Sequence, residues 1–168
     1  VKLTSIRSKH RDMFFLIFYL MGINVKDLSE LQKIENGRII YRRAKTGTLY
    51  NIKVEPEAFE IIEKYKGKEH LIKQFDRDAS YLSFDQSTNR VLGKICKEIG
   101  IPEVTTYWAR HTFATIAYEI GISMDVIADC LGHKSGHRIT SIYVRKDQQR
   151  IDEANRKVID YVLYNKKG

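Results

Sequence analysis

The sequence predicts an α+β domain, mainly helical, with one small three-stranded antiparallel sheet. Three observations carry this expectation. Apolar residues recur at helical spacing over most of the chain, the run 48–54 instead alternates apolar and polar, and Asn36-Gly37 and Lys45-Thr46-Gly47 supply the turns such strands need. A chain of 168 residues, 43% hydrophobic and 30% charged, suits a single globular domain that buries a core without disulfide or metal. The same figures exclude collagen, low-complexity disorder and a disulfide scaffold.

A first helix is expected over 9–21, with Gly22 just past its end as a C-cap. Its apolar run, 13–21, is nine residues long. That is far short of the roughly 20 needed to span a membrane, so it reads as a buried helix. A short helix follows over 25–31. Residues 32–35, 38–44 and 48–54 then read as the three strands of a meander. Pro56 opens a helix that Gly67 closes. Ser87 is expected to cap a helix ending at Gly100, Thr105 or Thr106 one ending at Gly121, and Ser123 one ending at Gly132. The last helix, over 147–164, places Ile151, Ala154, Val158, Tyr161 and Val162 on one face.

The 29 Lys and Arg against 21 Asp and Glu give a net charge of +8. Such a balance fits a polyanionic partner, nucleic acid or an anionic membrane face, or a globular domain that is merely basic. Two cysteines, Cys96 and Cys130, and no secretory leader suggest an intracellular chain with reduced thiols. The chain opens at Val1 rather than Met, as expected of a fragment of a longer protein.

Four stretches stand out. They are the block 107–115 (Tyr-Trp-Ala-Arg-His-Thr-Phe-Ala-Thr), Leu131-Gly132-His133, Thr140-Ser141-Ile142-Tyr143, and Lys45 on its hairpin. Each alone is weak; their order and spacing are specific. Together they resemble the catalytic domain of a tyrosine recombinase, of the phage integrase family, and the resemblance runs from Arg11-Asp12 to the last helix. It implies the DNA breaking-rejoining fold over 1–168, without the N-terminal core-binding domain such proteins carry. It also implies a metal-independent, cofactor-free strand transfer: a tyrosine attacks a DNA phosphodiester, forms a 3′-phosphotyrosyl enzyme and frees a 5′-hydroxyl.

On that resemblance Tyr143 is the nucleophile. A phenol with an unperturbed pKa near 10 is ionised about once in a thousand at neutral pH, so the site must help it. The alternative is a tyrosine packed in the core. Arg110 would clamp the scissile phosphate with a bidentate fork that cannot lose its proton; otherwise it is a surface arginine. Its neighbours Trp108, Phe113, Ile116 and Ala117 suggest an inward-leaning helix. Lys45 would protonate the departing 5′-oxygen, or is a solvated turn lysine. Arg42, Arg43 and Arg138 are candidates for phosphate contacts. His133 would donate a hydrogen bond to a phosphate oxygen. Cys130, His133 and His137 are also spaced like metal ligands, but no fourth ligand lies nearby, so no metal is expected. His111 is expected to be structural, hydrogen-bonded in the core.

Two positions depart from the family pattern. Where a first arginine is usual, Asn24 stands, with Asp27 in the place of the following acid. Losing one preorganised donor typically costs about 3–4 kcal/mol at such sites. Lys26, Arg42, Arg43 or Arg138 could supply the missing charge. Tyr107 replaces a frequent histidine, and its hydroxyl donates or accepts a hydrogen bond but is a poor base. Both departures resemble the integrases of conjugative transposons, a mobile-element subgroup.

The resemblance implies double-stranded DNA as partner, dimers or tetramers on DNA, accessory DNA-bending proteins, and a bacterial cytoplasmic setting. The last helix would pack either on a neighbouring protomer or on its own core. Competing expectations are a DNA-binding module of the same fold with weakened catalysis, marked by Asn24, and an RNA-binding or basic scaffold protein.

Overall fold

A computed structural model describes residues 4–77, 80–132 and 141–165, with side chains left out at 141–146. His133, His137 and Arg138, and the side chain of Tyr143, lie outside the described residues. The elements run α1 (Ser5–Tyr19), α2 (Val25–Glu30), β1 (Arg38–Arg42), β2 (Leu49–Lys53), α3 (Pro56–Lys64), a 3₁₀ turn (Lys73–Phe75), α4 (Tyr81–Ile99), α5 (Thr106–Glu119), α6 (Met124–Cys130) and α7 (Ser141–Tyr164).

Helix α1 is the central post. Met13, Leu16, Ile17 and Leu20 are buried, as the apolar run requires, against α3, α4 and α5. Phe18 meets Phe113 of α5 edge-on, with ring centroids 6.1 Å apart. The helix starts at Ser5, a turn earlier than expected, because Thr4 accepts the Arg7 N–H. It ends where Met21 and Gly22 take positive φ and Gly22 N donates to Ile17 O at 2.8 Å.

The sheet has two strands, not three. Strands β1 and β2 pair antiparallel, with Ile39 opposite Ile52 and Tyr41 opposite Tyr50. Ile39, Ile52 and Tyr50 are buried while Ile40 and Leu49 are exposed, the alternation of a one-sided sheet. The expected first strand, 32–35, shrinks to one bridge between Glu35 and Arg38 across the Asn36-Gly37 turn. Its backbone is drawn elsewhere: Leu31 O accepts from Leu71 N at 2.7 Å, which ties the segment to the loop after α3. Tyr41 and Tyr50 stack with centroids 5.0 Å apart.

Helix α4 begins at Tyr81, not after Ser87, because its buried stripe of Phe84, Thr88, Leu92 and Cys96 starts before Ser87. Ser80 is the cap, accepting Leu82 N at 3.3 Å, and Ser87 donates within the helix to Phe84 O at 2.9 Å. Gly100 and Gly121 close α4 and α5 in left-handed conformations, as expected. Helix α3 stops at Lys64, ahead of Gly67; Gly67 serves instead a close approach, since a side chain there would meet His70 O at 2.2 Å.

Helix α7 starts two turns before the expected 147, so Tyr143 lies in its first turn. The helix packs on its own core through Ala154, Val158 and Ile159, and Asn155 donates to Tyr19 O at 3.0 Å. Val162 faces solvent and Ile159 takes its place, because the buried stripe follows the packing of α7 on α5 and α6. Arg156 reaches α3, donating to Glu55 and, with both terminal nitrogens, to Glu57. Cys96 and Cys130 are free and buried. Burial pushes the Cys130 thiol up to about 12. No helix among the described residues is long and apolar enough to cross a membrane.

Candidate active site

A cleft of about 470 Å³ opens beside the turn that ends α1. Its wall brings together residues far apart in sequence: Asn24, Arg43, Lys45, Asp85, Tyr107 and Arg110 among them. Three of these side chains are cationic and one is a carboxylate. The first residues of α4 and α5, Tyr81 and Thr106, also line it. The charged side chains of the lining sum to a positive balance, Arg43, Lys45 and Arg110 against Asp85.

Arg110 is built in most firmly. Ala109, Phe113 and Ala117, spaced by four, bury one face of α5, and Arg110 flanks that face half-buried. Its guanidinium donates to Gly22 O at 3.0 Å and to Leu131 O at 2.5 Å. Both partners are neutral carbonyls, which orient the fork without neutralising it. Leu131 O also accepts from Tyr50 Oη at 2.6 Å, so strand β2, α5 and the end of α6 meet at one carbonyl. Burial raises the pKa of Tyr50, against the nearby charge of Arg110. Gly132, in a left-handed conformation, lets Tyr50 in: a side chain there would lie 2.0 Å from its hydroxyl oxygen.

Lys45 sits in the β1–β2 turn, exposed, at the edge of the cleft. Asp27 fixes that turn. Its buried carboxylate accepts Ala44 N at 3.0 Å and lies 3.9 Å from Arg43 Nε. Arg43 points into the cleft, whereas Arg42 is exposed and donates to Gly47 O at 3.2 Å within the turn. Asn24 is exposed at the mouth, and its side chain caps α2 by accepting Lys26 N at 3.0 Å.

Tyr107 is exposed and packs edge-on against His111, centroids 4.6 Å apart. His111 is itself exposed, not hydrogen-bonded in the core as expected. Trp108 is exposed too, so the inward-leaning face is narrower than its neighbours suggested. The i, i+4 geometry explains this: Ala109 and Phe113 hold the core, which turns positions 107, 108 and 111 outward.

Sequence reasoning missed the support that α4 lends. Asp85 accepts a hydrogen bond from Thr106 Oγ1 at 2.6 Å, and Asn89 accepts Thr106 N at 2.8 Å. Asn89 thus does for α5 what Thr105, whose side chain makes no capping bond, was expected to do. No signal in the sequence pointed to them: Asp85 lies ahead of the helix expected after Ser87, and nothing named a partner for either residue. Of the expected residues, the cleft unites Asn24, Arg43, Lys45, Tyr107 and Arg110, with Asp27 behind the hairpin. Among the described residues no cluster of three His, Cys, Asp or Glu is placed to hold a metal ion.

The model of the phage integrase family matches residues 3–150. The tyrosine recombinase XerA of Pyrococcus horikoshii is 27% identical over 96% of the chain and 60% of its own length. That of Saccharolobus solfataricus is 33% identical over 74% and 39%, respectively. That of Thermococcus onnurineus is 28% identical over 89% and 56%. The chain thus spans between 39% and 60% of these relatives.

Proposed function

Because the chain belongs to the phage integrase family, we propose that it is the catalytic part of a site-specific DNA recombinase that works through a 3′-phosphotyrosyl intermediate. The observation that carries this reading is the cleft in which Arg110, Lys45 and Arg43 converge with the N-terminal turns of α4 and α5. Such a space favours a phosphodiester, whose charge is met by fixed donors.

In this reading Tyr143 gives up its phenolic proton to solvent as its oxygen attacks phosphorus, and the bond to the 5′-oxygen breaks. Lys45 gives its proton to that oxygen. Arg110 holds the two non-bridging oxygens, already aimed by the Gly22 and Leu131 carbonyls. His133 donates to the same phosphate, and Arg42 and Arg138 contact its neighbours along the backbone. Arg43 supplies the charge that Asn24 lacks. A 5′-hydroxyl later attacks the phosphotyrosine, returning its proton to Lys45, and the released phenolate regains a proton from solvent. The phosphodiester energy is kept in the covalent intermediate, so the cycle balances without a cofactor. Duplex DNA bound by a homo-oligomer, with accessory DNA-bending proteins, completes the reaction. The mobile-element role rests on Asn24 and Tyr107.

A second reading, a DNA-binding module with weakened catalysis, is favoured by Asn24, whose side chain is engaged in capping α2. Relaxation of a supercoiled plasmid in EDTA, with Tyr143→Phe alongside, separates the two. Relaxation lost in the variant supports the recombinase. Salt-sensitive DNA binding with no relaxation, by this chain and by a longer form of the protein alike, supports the binding module.

A further inference from the structure

Helix α7 is tied to the hairpin by four side chains. Arg38, the first residue of β1, sends its guanidinium across to α7 and meets both oxygens of Asp152 at 2.8 Å. The same guanidinium donates to Asn51 of β2, through Nε to the side chain at 2.5 Å and through a terminal nitrogen to the carbonyl at 3.1 Å. Gln148, one turn before Asp152, donates to Asn51 O at 2.8 Å and to Asp152 at 3.1 Å. The Arg38 and Asp152 side chains are only 23% and 20% exposed. A forked, shielded pair of this kind fixes geometry far better than a solvated one.

Its placement gives it a use. The hairpin is one antiparallel ladder, with Arg38 and Lys53 at its open end and Lys45 in the turn at the other. Helix α7 is continuous from Ser141, so Gln148 and Asp152 lie about 7.5 and 13.5 Å along it from Tyr143. Further polar ties of α7, Asn155 to Tyr19, Arg156 to Glu55 and Glu57, and Tyr164 to Glu57, come after Asp152. The Arg38 cluster is thus a polar tether to another element that begins five residues past Tyr143. The hairpin carries the candidate acid at one end and holds the helix of the candidate nucleophile at the other.

We propose that Arg38 is a positioning residue for strand cleavage, setting α7, and with it Tyr143, against the hairpin through Asp152 and Gln148. The inference rests on the function proposed above.

The test uses a duplex bearing the cleavage site mapped from adducts trapped on plasmid DNA. One form is natural and one carries sulfur in place of the bridging 5′-oxygen. In the second the Tyr143 O–P bond forms, the P–S bond breaks, and the thiolate leaves without a proton. Sulfur should therefore rescue Lys45→Ala. Arg38→Met and Asp152→Asn should slow single-turnover adduct formation about 100-fold on both duplexes, the cost of a misplacement near 1 Å. Affinity for DNA should change little, and circular dichroism should show both variants folded at the assay temperature. Gln148→Ala, which leaves the ion pair intact, should slow the step less and serves if Arg38→Met does not fold. Wild-type rates in the folded variants overturn the inference. Rescue of Arg38→Met by sulfur also overturns it, since Arg38 would then act through Lys45. If the wild-type protein forms no adduct on plasmid DNA, the recombinase reading fails first and takes this inference with it.

Discussion

The stem of Arg110 lies against the backbone of Gly22, in the space a side chain there would occupy. An added Cβ would be 2.6 Å from both Cα and Cβ of Arg110, while the guanidinium returns to donate to Gly22 O at 3.0 Å. The turn that ends α1 and the arginine of α5 are thus fitted to each other. Gly22 also has φ +71, where an L side chain is strained. Gly22→Ala should lower unfolding stability by about 1–3 kcal/mol in urea titrations and move Arg110 out of line. Covalent adduct yield should fall more than the stability loss accounts for.

Arg110→Lys tests the fork. A lysine ammonium cannot span the Gly22 and Leu131 carbonyls and present two parallel N–H groups to a phosphate. Cleavage should drop about 10²- to 10³-fold, with DNA affinity nearly kept because the charge remains. Quench-flow cleavage and binding titrations at one salt concentration read the two effects apart.

Asn24→Arg should not speed cleavage. It removes the cap on Lys26 N, at a cost of about 1 kcal/mol. It also brings a second guanidinium into a cleft that already holds Arg43. Arg43→Gln, by contrast, should slow cleavage, and the double variant should recover part of that loss. Rates measured with saturating DNA give all three comparisons.

Asp76 gives a pH test remote from the cleft. The backbone N–H of Lys68, with those of His70 and Glu69, holds its carboxyl at about 2 rather than 3.8. A carboxylate with a lowered folded pKa stabilises fully above its unfolded value and stops doing so as pH falls through the folded one. Asp76→Asn should therefore have a lower melting temperature than wild type at pH 7. The difference should begin to close below pH 4 and be largely gone near pH 2.

The helices, the glycine ends of α1, α4 and α5, and the buried run of α1 were legible because each is a local property, set by period, cap and turn chemistry. Membership of the family was legible through the order and spacing of the block around Arg110, Lys45 and Tyr143 along the chain. Where local signals competed, the sequence misled. Ser87 resembles a cap, yet the stripe from Phe84 carries α4 past it. Residues 32–35 resemble a strand, yet Leu31 bonds to Leu71. His111 sits in the most distinctive block of the chain and still faces solvent, because Ala109 and Phe113 claim the core side of α5.

By itself, then, the sequence determined a basic, mainly helical chain with a paired hairpin, and which residue types could handle a phosphodiester. Tertiary structure alone decided which of them share a cleft: that Arg43 joins Arg110 while Arg42 does not, that Asp85 and Asn89 hold the start of α5, and that Arg38 ties α7 to the hairpin. The physical reason is range. Periodicity and capping act within a few residues, whereas Arg38 and Asp152 are 114 positions apart and Arg110 and Gly22 are 88. Contacts of that separation exist only once the core has packed and brought their backbones together.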